Sequence, residues 1–258
     1  MFERLLSTLR PELSGARAFH HVERVSGYHR IQASPGYRDA AHYCATALDE
    51  SGLIGRVISY PANIQTQFWS QKLWQEWVCH KATLKIDGDE QSLMLADFAD
   101  CPISLIQRSY PTPPGGLTLQ VVVLDRGDDE ELYPDVELTG KMVLTDGDIN
   151  KVRKWAVGKR GAVGIISDRL AEVHPIRHRF DLPDARQYTS FWWTGQEQGC
   201  FGFVLSPKLG DGLRKRAAKG VVNVHAEVVS EFYDGAFENV EALIPGESEE
   251  EILIVAHL

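Results

Sequence analysis

Residues 250–258, EEILIVAHL, decide how the rest of the chain is read. Ile252, Leu253, Ile254, Val255 and Ala256 form an unbroken apolar run, the pattern of a strand buried on both faces of a mixed or parallel sheet. Upstream, residues 239–244 (NVEALI) give a second strand-like stretch, and the Pro245-Gly246-Glu247-Ser248 turn separates the two. His257 follows the apolar run directly. Open α/β sheets place their binding and reacting groups at the carboxyl ends of such strands. A chain that stops one residue later is expected to be cut in mid-domain.

Working outward, 258 residues suffice for two ordinary domains or for one domain carrying a large insertion. An apolar content of 43% with 24% charged residues places the chain among globular proteins rather than disordered ones. The net charge of −9 argues against a nucleic-acid or anionic-membrane partner. The most basic run, Arg214-Lys215-Arg216 with Lys219, reads as the solvated face of one helix. No apolar run approaches the ~18 residues of a membrane helix, and the opening MFERLLSTLRPEL lacks a signal-peptide core. Cys44, Cys79, Cys101 and Cys200 form no C-x-x-C pair and read as reduced thiols, so a cytoplasmic location is expected.

In chain order, residues 17–26 have helical spacing (Ala18, Val22, Val25) and stop at Gly27. A clearer helix follows, with Ser34 as cap, Pro35 in the first turn, Ala40, Ala41, Cys44, Ala47 and Leu48 as its stripe, and Gly52 closing it. Residues 57–60 read as a strand. Trp69, Trp74 and Trp77 could line a groove, but the pattern favours packing beneath a loop. Residues 77–86 alternate as a strand with one buried face, closed by Asp87-Gly88. Past the linker-like Pro111, Pro113, Pro114, Gly115 and Gly116 come a strand (LQVVVLD), an acidic loop from Asp128 to Asp135, and a strand entered through Thr139-Gly140-Lys141. A short helix over 151–158 and a third strand, GAVGIISD, follow. Ser206 and Pro207 start a helix that Gly220 stops, and residues 221–230 alternate as a further strand. Between them, Arg177, His178, Arg179, Phe191, Trp192 and Trp193 fall in a long irregular stretch, the kind that often carries function.

Several lesser patterns resolve into ordinary structure. Asp146-Gly-Asp148-Ile-Asn150 begins like a calcium loop but has Lys151 where glycine is required and Val157 where the bidentate Glu belongs, so a strand-to-helix turn capped by Asp148 or Asn150 is expected. His174 and His178 have the spacing of a helical metal pair, but Pro175 lies between them. Gly158-Lys159-Arg160-Gly161 lacks the ending of a phosphate loop, and no G-x-S-x-G element occurs.

The closing stretch ENVEALIPGESEEEILIVAHL resembles the opening of the catalytic domain in the co-catalytic zinc aminopeptidases, which include leucyl aminopeptidases, glutamate carboxypeptidase and the transferrin receptor ectodomain. The segment HRIQASPGYRDAAHYCATALDESGL is similar to the family's N-terminal helix region, and the strand order within 119–168 looks like the protease-associated domain inserted in several members. The resemblance implies an α/β fold: an N-terminal peptidase segment over 1–94, a β-rich protease-associated insertion over 95–235, and the first, incomplete catalytic strands over 236–258. It implies that His257 is the first metal ligand of a two-zinc site whose other ligands and general base would lie downstream. One imidazole cannot hold zinc usefully by itself. The chain alone is therefore expected to bind zinc weakly or not at all and to be inactive, with no catalytic residue of its own, while the whole protein removes N-terminal residues from peptides. Self-association through an unpaired apolar edge at 250–258 is a further expectation. Two alternatives stay open: a non-catalytic module acting as substrate lid or protein-interaction domain, and an unrelated α/β enzyme with its site around Arg177 to Trp193.

Overall fold

The computed structural model describes residues 2–87, 93–133, 137–192, 199–248 and 250–258; Gly88, Asp135 and Trp193 lie outside them. The helices are α1 (Phe2–Leu9), α2 (Gly15–Ser26) and α3 (Pro35–Glu50), then α4 (Ile149–Val152) and α5 (Gly158–Arg160), joined by a π-type turn at Arg153–Val157, and α6 (Pro207–Ala217). The strands are β1 (Gly55–Ala62), β2 (Gln67–Phe68), β3 (Gln71–Lys72), β4 (Glu76–Ile86), β5 (Met94–Asp97), β6 (Leu117–Val123), β7 (Met142–Thr145), β8 (Gly164–Ser167), β9 (Phe201–Val204), β10 (Asn223–Tyr233) and β11 (Gly235–Ala242). The chain divides into two units. One joins Met1–Asn63 with Asp234–Leu258, and the other is Ile64–Tyr233. β4 pairs with β10 along its length and so lies in the second unit.

In the unit made from the chain's two ends, β1 and β11 pair antiparallel, Gly55 opposite Ala242 and Ala62 opposite Gly235. Helix α3 packs on this pair through Ala40, Ala41 and Ala45, small residues that let helix and strands approach closely. Ser34 caps α3 by accepting from the Tyr37 amide at 3.2 Å, with Pro35 in the first turn. At the other end Gly52 takes φ +83° and donates to Asp49 O, while Leu53 donates to Leu48 O, the paired closure that a left-handed residue permits. Arg38 meets the buried carboxylate of Glu238 at 2.6 Å, tying α3 to β11. The helical stripe expected in α2 forms no core, since neither α1 nor α2 has a buried residue and Val22 is 65% exposed.

The middle unit is an α/β body with a mixed sheet. Among the described residues its long sheet runs β5-β4-β10-β6-β7-β8-β9, with β6 through β9 mutually parallel and β10, β4 and β5 antiparallel to their neighbours. Parallel strands covered on both faces need unbroken apolar runs. Every residue of β7 (MVLT), β8 (GIIS) and β9 (FGFV) is accordingly buried. The winding over α4 and α5 covers one face through Ile149, Val152, Ala156 and Val157, packed with Val143, Ile165 and Phe191. The outer edge of β9 is covered too, because Ile106 N donates to Gly202 O and Tyr110 N to Cys200 O. A bulge in the β4–β10 pairing, between Val229 and Ser230, shifts the alternation, so that Trp77 as well as Ala82, Leu84 and Ile86 is buried. All four cysteines are free thiols.

Candidate functional site

The carboxyl edge of the parallel strands gathers the charged groups of the middle unit. Each of β6, β7 and β8 is followed within two residues by an aspartate: Asp125, Asp146 and Asp168. Parallel pairing with Val123 opposite Leu144 and Thr145 opposite Ser167 sets these three in one row. Their side chains grade from 99% exposed at Asp125 through 38% at Asp146 to fully buried at Asp168. Arg214 of α6 donates to both oxygens of Asp168, at 2.8 and 2.9 Å, and reaches Asp125 at 3.3 Å. Hydrogen bonding to Asp168 raises the guanidinium's pKa further. Arg179 adds a contact to Asp168 at 3.4 Å and lies 3.9 Å from Asp146. Buried charge is tolerable only when paired and hydrogen-bonded, and this network meets that condition. Arg214 is therefore not part of a solvated face as its sequence suggested; only its neighbours behave so, Lys215 pairing with Asp211 one turn earlier.

A cleft of about 230 Å³ opens at the same edge, between the turn after β7 and the strand-like end of the long loop. Asp148 caps α4 as expected, its Oδ1 accepting from the amides of Asn150 and Lys151 at 3.0 and 3.2 Å, so the calcium-like pattern is a strand-to-helix turn. The far wall carries Gln187 and Thr189. That stretch of the long loop is not irregular at its end: Gln107 N donates to Thr189 O, Phe191 N to Gln107 O, and Asn150 holds Ser190 O and the Trp192 amide.

Behind this wall sits a cation the sequence did not reveal. Arg108, 2% exposed and at φ +60°, lies between two indoles, with Cζ 5.0 Å from the Trp74 ring and 5.1 Å from the Trp192 ring. It donates to Ser190 Oγ at 2.8 Å, and burial lowers its pKa to about 10. Trp77 is buried and donates to Ser109 O at 3.0 Å, as packing beneath a loop requires, whereas Trp69 is 98% exposed.

The structure brings His174 and His178 together on one carboxylate. Their Nε2 atoms stand 3.1 and 3.0 Å from the two oxygens of Glu172. The Phe180 amide donates to His178 Nδ1 at 3.3 Å, so both nitrogens of that ring have partners within the loop. His257 lies in an exposed, irregular tail, and Ile252 to Val255 before it are 81–93% exposed. The expected buried strand is absent from 250–258 because no described strand pairs with the run. Among the described residues no group of three His, Cys, Asp or Glu side chains converges as a metal site would need.

No protein-family model matches the sequence, and no curated protein matches it. Among solved structures, the chain is similar to a peptidase M28 precursor from Shewanella amazonensis at 17% identity and a TM-score of 0.55. That match covers 86% of this chain and 49% of the other. The likeness is one of fold. It extends to BSAP, a zinc aminopeptidase from Bacillus subtilis, at 15% identity and a TM-score of 0.54, covering 87% of this chain and 46% of that one. The chain thus spans about half the length of the structures it matches. No helix among the described residues is long and apolar enough to cross a membrane.

Proposed function

We propose that the chain is the N-terminal portion of a zinc-dependent aminopeptidase. In this reading residues 95–235 are the protease-associated-like insertion, and His257 supplies one ligand of a two-zinc centre that later sequence completes. The observation that carries the proposal is the fold shared, over most of this chain, with about half of a zinc aminopeptidase. The residues present do not fit a zinc pair: His257 is one imidazole on an exposed tail, and no group of three His, Cys, Asp or Glu able to hold a metal ion occurs among the described residues. No catalytic step is assigned to this chain alone. Peptides with a free N-terminus would be the substrates, and the four free thiols fit a reducing, cytoplasmic setting.

The test is to compare the 258-residue chain with the product of the reading frame continued past Leu258. The chain alone should bind no zinc tightly and release no leucine from leucine p-nitroanilide. The longer product should carry two zinc ions, hydrolyse the amide, and lose both properties on His257→Ala. A stop codon directly after Leu258, or a longer product without zinc, refutes the reading. It would leave the second one, a binding module, which the cleft beside β7 and β8 favours.

A further inference from the structure

We infer that α1 is the contact surface for a second copy of this chain, two α1 helices packing antiparallel across a two-fold axis. The inference rests on the N-terminal helix alone and stands or falls separately from the peptidase reading.

α1 needs a partner that its own unit does not supply. It is 8 residues long, and isolated helices shorter than ~12–15 residues are marginal in water. Yet none of its residues is buried, and it has no extensive packing against another described element. Phe2, Leu5, Leu6 and Leu9 form its apolar stripe, the spacing of one helical face. Phe2, Leu5 and Leu9 are 71%, 54% and 44% exposed, and Leu13 just beyond them is 76% exposed. Helical bonding runs on past Leu9, since Arg10 N donates to Leu6 O at 2.9 Å and Leu13 N to Leu9 O at 3.1 Å.

The pattern fits its own copy. The steps from Phe2 to Leu5, Leu6 and Leu9 are three, one and three residues, so the stripe reads the same in both directions. Turned about a two-fold, Phe2 meets Leu9 and Leu5 meets Leu6 of the second copy, an isologous contact. Glu3 and Arg10 lie on one flank of the stripe, because the seven residues between them make nearly two turns. Antiparallel helices about a two-fold present the same flank to each other. In the apolar register Glu3 stands only about 3 Å along the axis from Arg10 of the second copy, two residues of rise. The opposite charges therefore pair twice, and neither group is paired within the described residues of its own chain. A lipid surface fits less well, since Glu3 and Glu12 offset Arg4 and Arg10 and leave no excess charge for anionic headgroups. Covering the stripe removes on the order of 400 Å² per copy, about half of one side of a standard interface, so the contact is reversible.

The test is sedimentation velocity over a concentration series, on the full chain carrying Ile254→Lys so that the exposed tail does not contribute. A reversible monomer–dimer equilibrium is expected, and Leu5→Lys should abolish it. Glu3→Arg and Arg10→Glu each replace two attractions by two repulsions and should each weaken the dimer by about tenfold or more. Glu3→Arg combined with Arg10→Glu should restore it, which neither unspecific apolar sticking nor loss of the helix would do. A monomer at every concentration, single exchanges without effect, or a double exchange as weak as the singles overturns the inference. Binding of the monomer to phosphatidylcholine–phosphatidylglycerol vesicles, with no dimer in solution, gives the stripe to a lipid surface and overturns it too.

Discussion

Replacing Gly210 by alanine puts a methyl carbon 2.5 Å from Oδ2 and 2.7 Å from Cγ of Asp168, and closer still to its Cβ. The obstructing Cβ is fixed to the backbone at the end of β8, so no rotamer change removes the clash. Either α6 lifts from the sheet or Asp168 turns away from Arg214, whose two bonds to it are 2.8 and 2.9 Å long. Overpacking of this kind costs about 1–3 kcal/mol, against which alanine recovers about 1 kcal/mol of helix propensity. Weakening the hydrogen-bonded ion pair adds about 1–3 kcal/mol. The expected net is a loss of about 2–4 kcal/mol. Gly212, two positions on in the same helix, has nothing within 4 Å of an added Cβ. There the same substitution should stabilise by about 0.5–1 kcal/mol. Urea unfolding followed by tryptophan fluorescence reads the contrast, because Trp77 is buried in the same unit. With m near 1–3 kcal/mol/M, the two midpoints should differ by roughly 1 M or more. Equal midpoints, or a stabilised Gly210→Ala, would refute the close seating of α6 on Asp168.

The remaining predictions concern titration and the tail. Burial pushes the thiols of Cys79 and Cys200 up to about 12 and the Tyr133 phenol likewise to about 12. The folded state therefore holds these protons more tightly than the unfolded one, and their contribution to stability is complete below about pH 9 and lost as pH rises toward 12; a denaturation series showing rising stability over that window contradicts this. In the native state at pH 8, Ellman's reagent should leave Cys200 unlabelled and label it only after denaturation. His257→Ala should leave the melting temperature of this chain unchanged, since the imidazole is exposed; a drop of several degrees would mean it packs. Ile254, 88% exposed, lies in an apolar run that should drive concentration-dependent association, so Ile254→Lys should shift sedimentation profiles toward monomer.

Much of this architecture can be read along the chain wherever a local rule fixes it. Ser34-Pro35 with Gly52, and Ser206-Pro207, mark two helices because caps and φ preferences act within a few residues. The apolar runs of β6, β7 and β8 are equally plain, and even the aspartates that close them stand in the sequence. What cannot be read is the parallel register that sets those aspartates in a row, or the arrival of Arg214 from a later helix. Arg108 is hidden for the same reason, since its indole partners come from separate segments. β9 is four residues of ordinary apolar sequence whose identity depends on β8 beside it. His257 is singled out in the sequence by the apolar run before it and by a family resemblance, whereas in the structure that run is exposed and irregular.

That one unit is built from both ends of the chain bears on the order of folding. β1 pairs with β11, so on the ribosome β1 must wait for residues 235–242 while the whole middle unit is made. Closing so long a loop as free coil is entropically costly and slow. Folding of the middle unit first removes most of that cost. The β4–β10 ladder places Glu76 opposite Tyr233, and Tyr233 Oη donates to the Glu76 carboxylate at 2.6 Å. Once that ladder has closed, only the short segments between Ala62 and Glu76 and between Tyr233 and Gly235 still separate the strands that must meet. The order of synthesis therefore separates the two units in time: the middle unit is complete in sequence before β11, the partner that β1 requires, has been made.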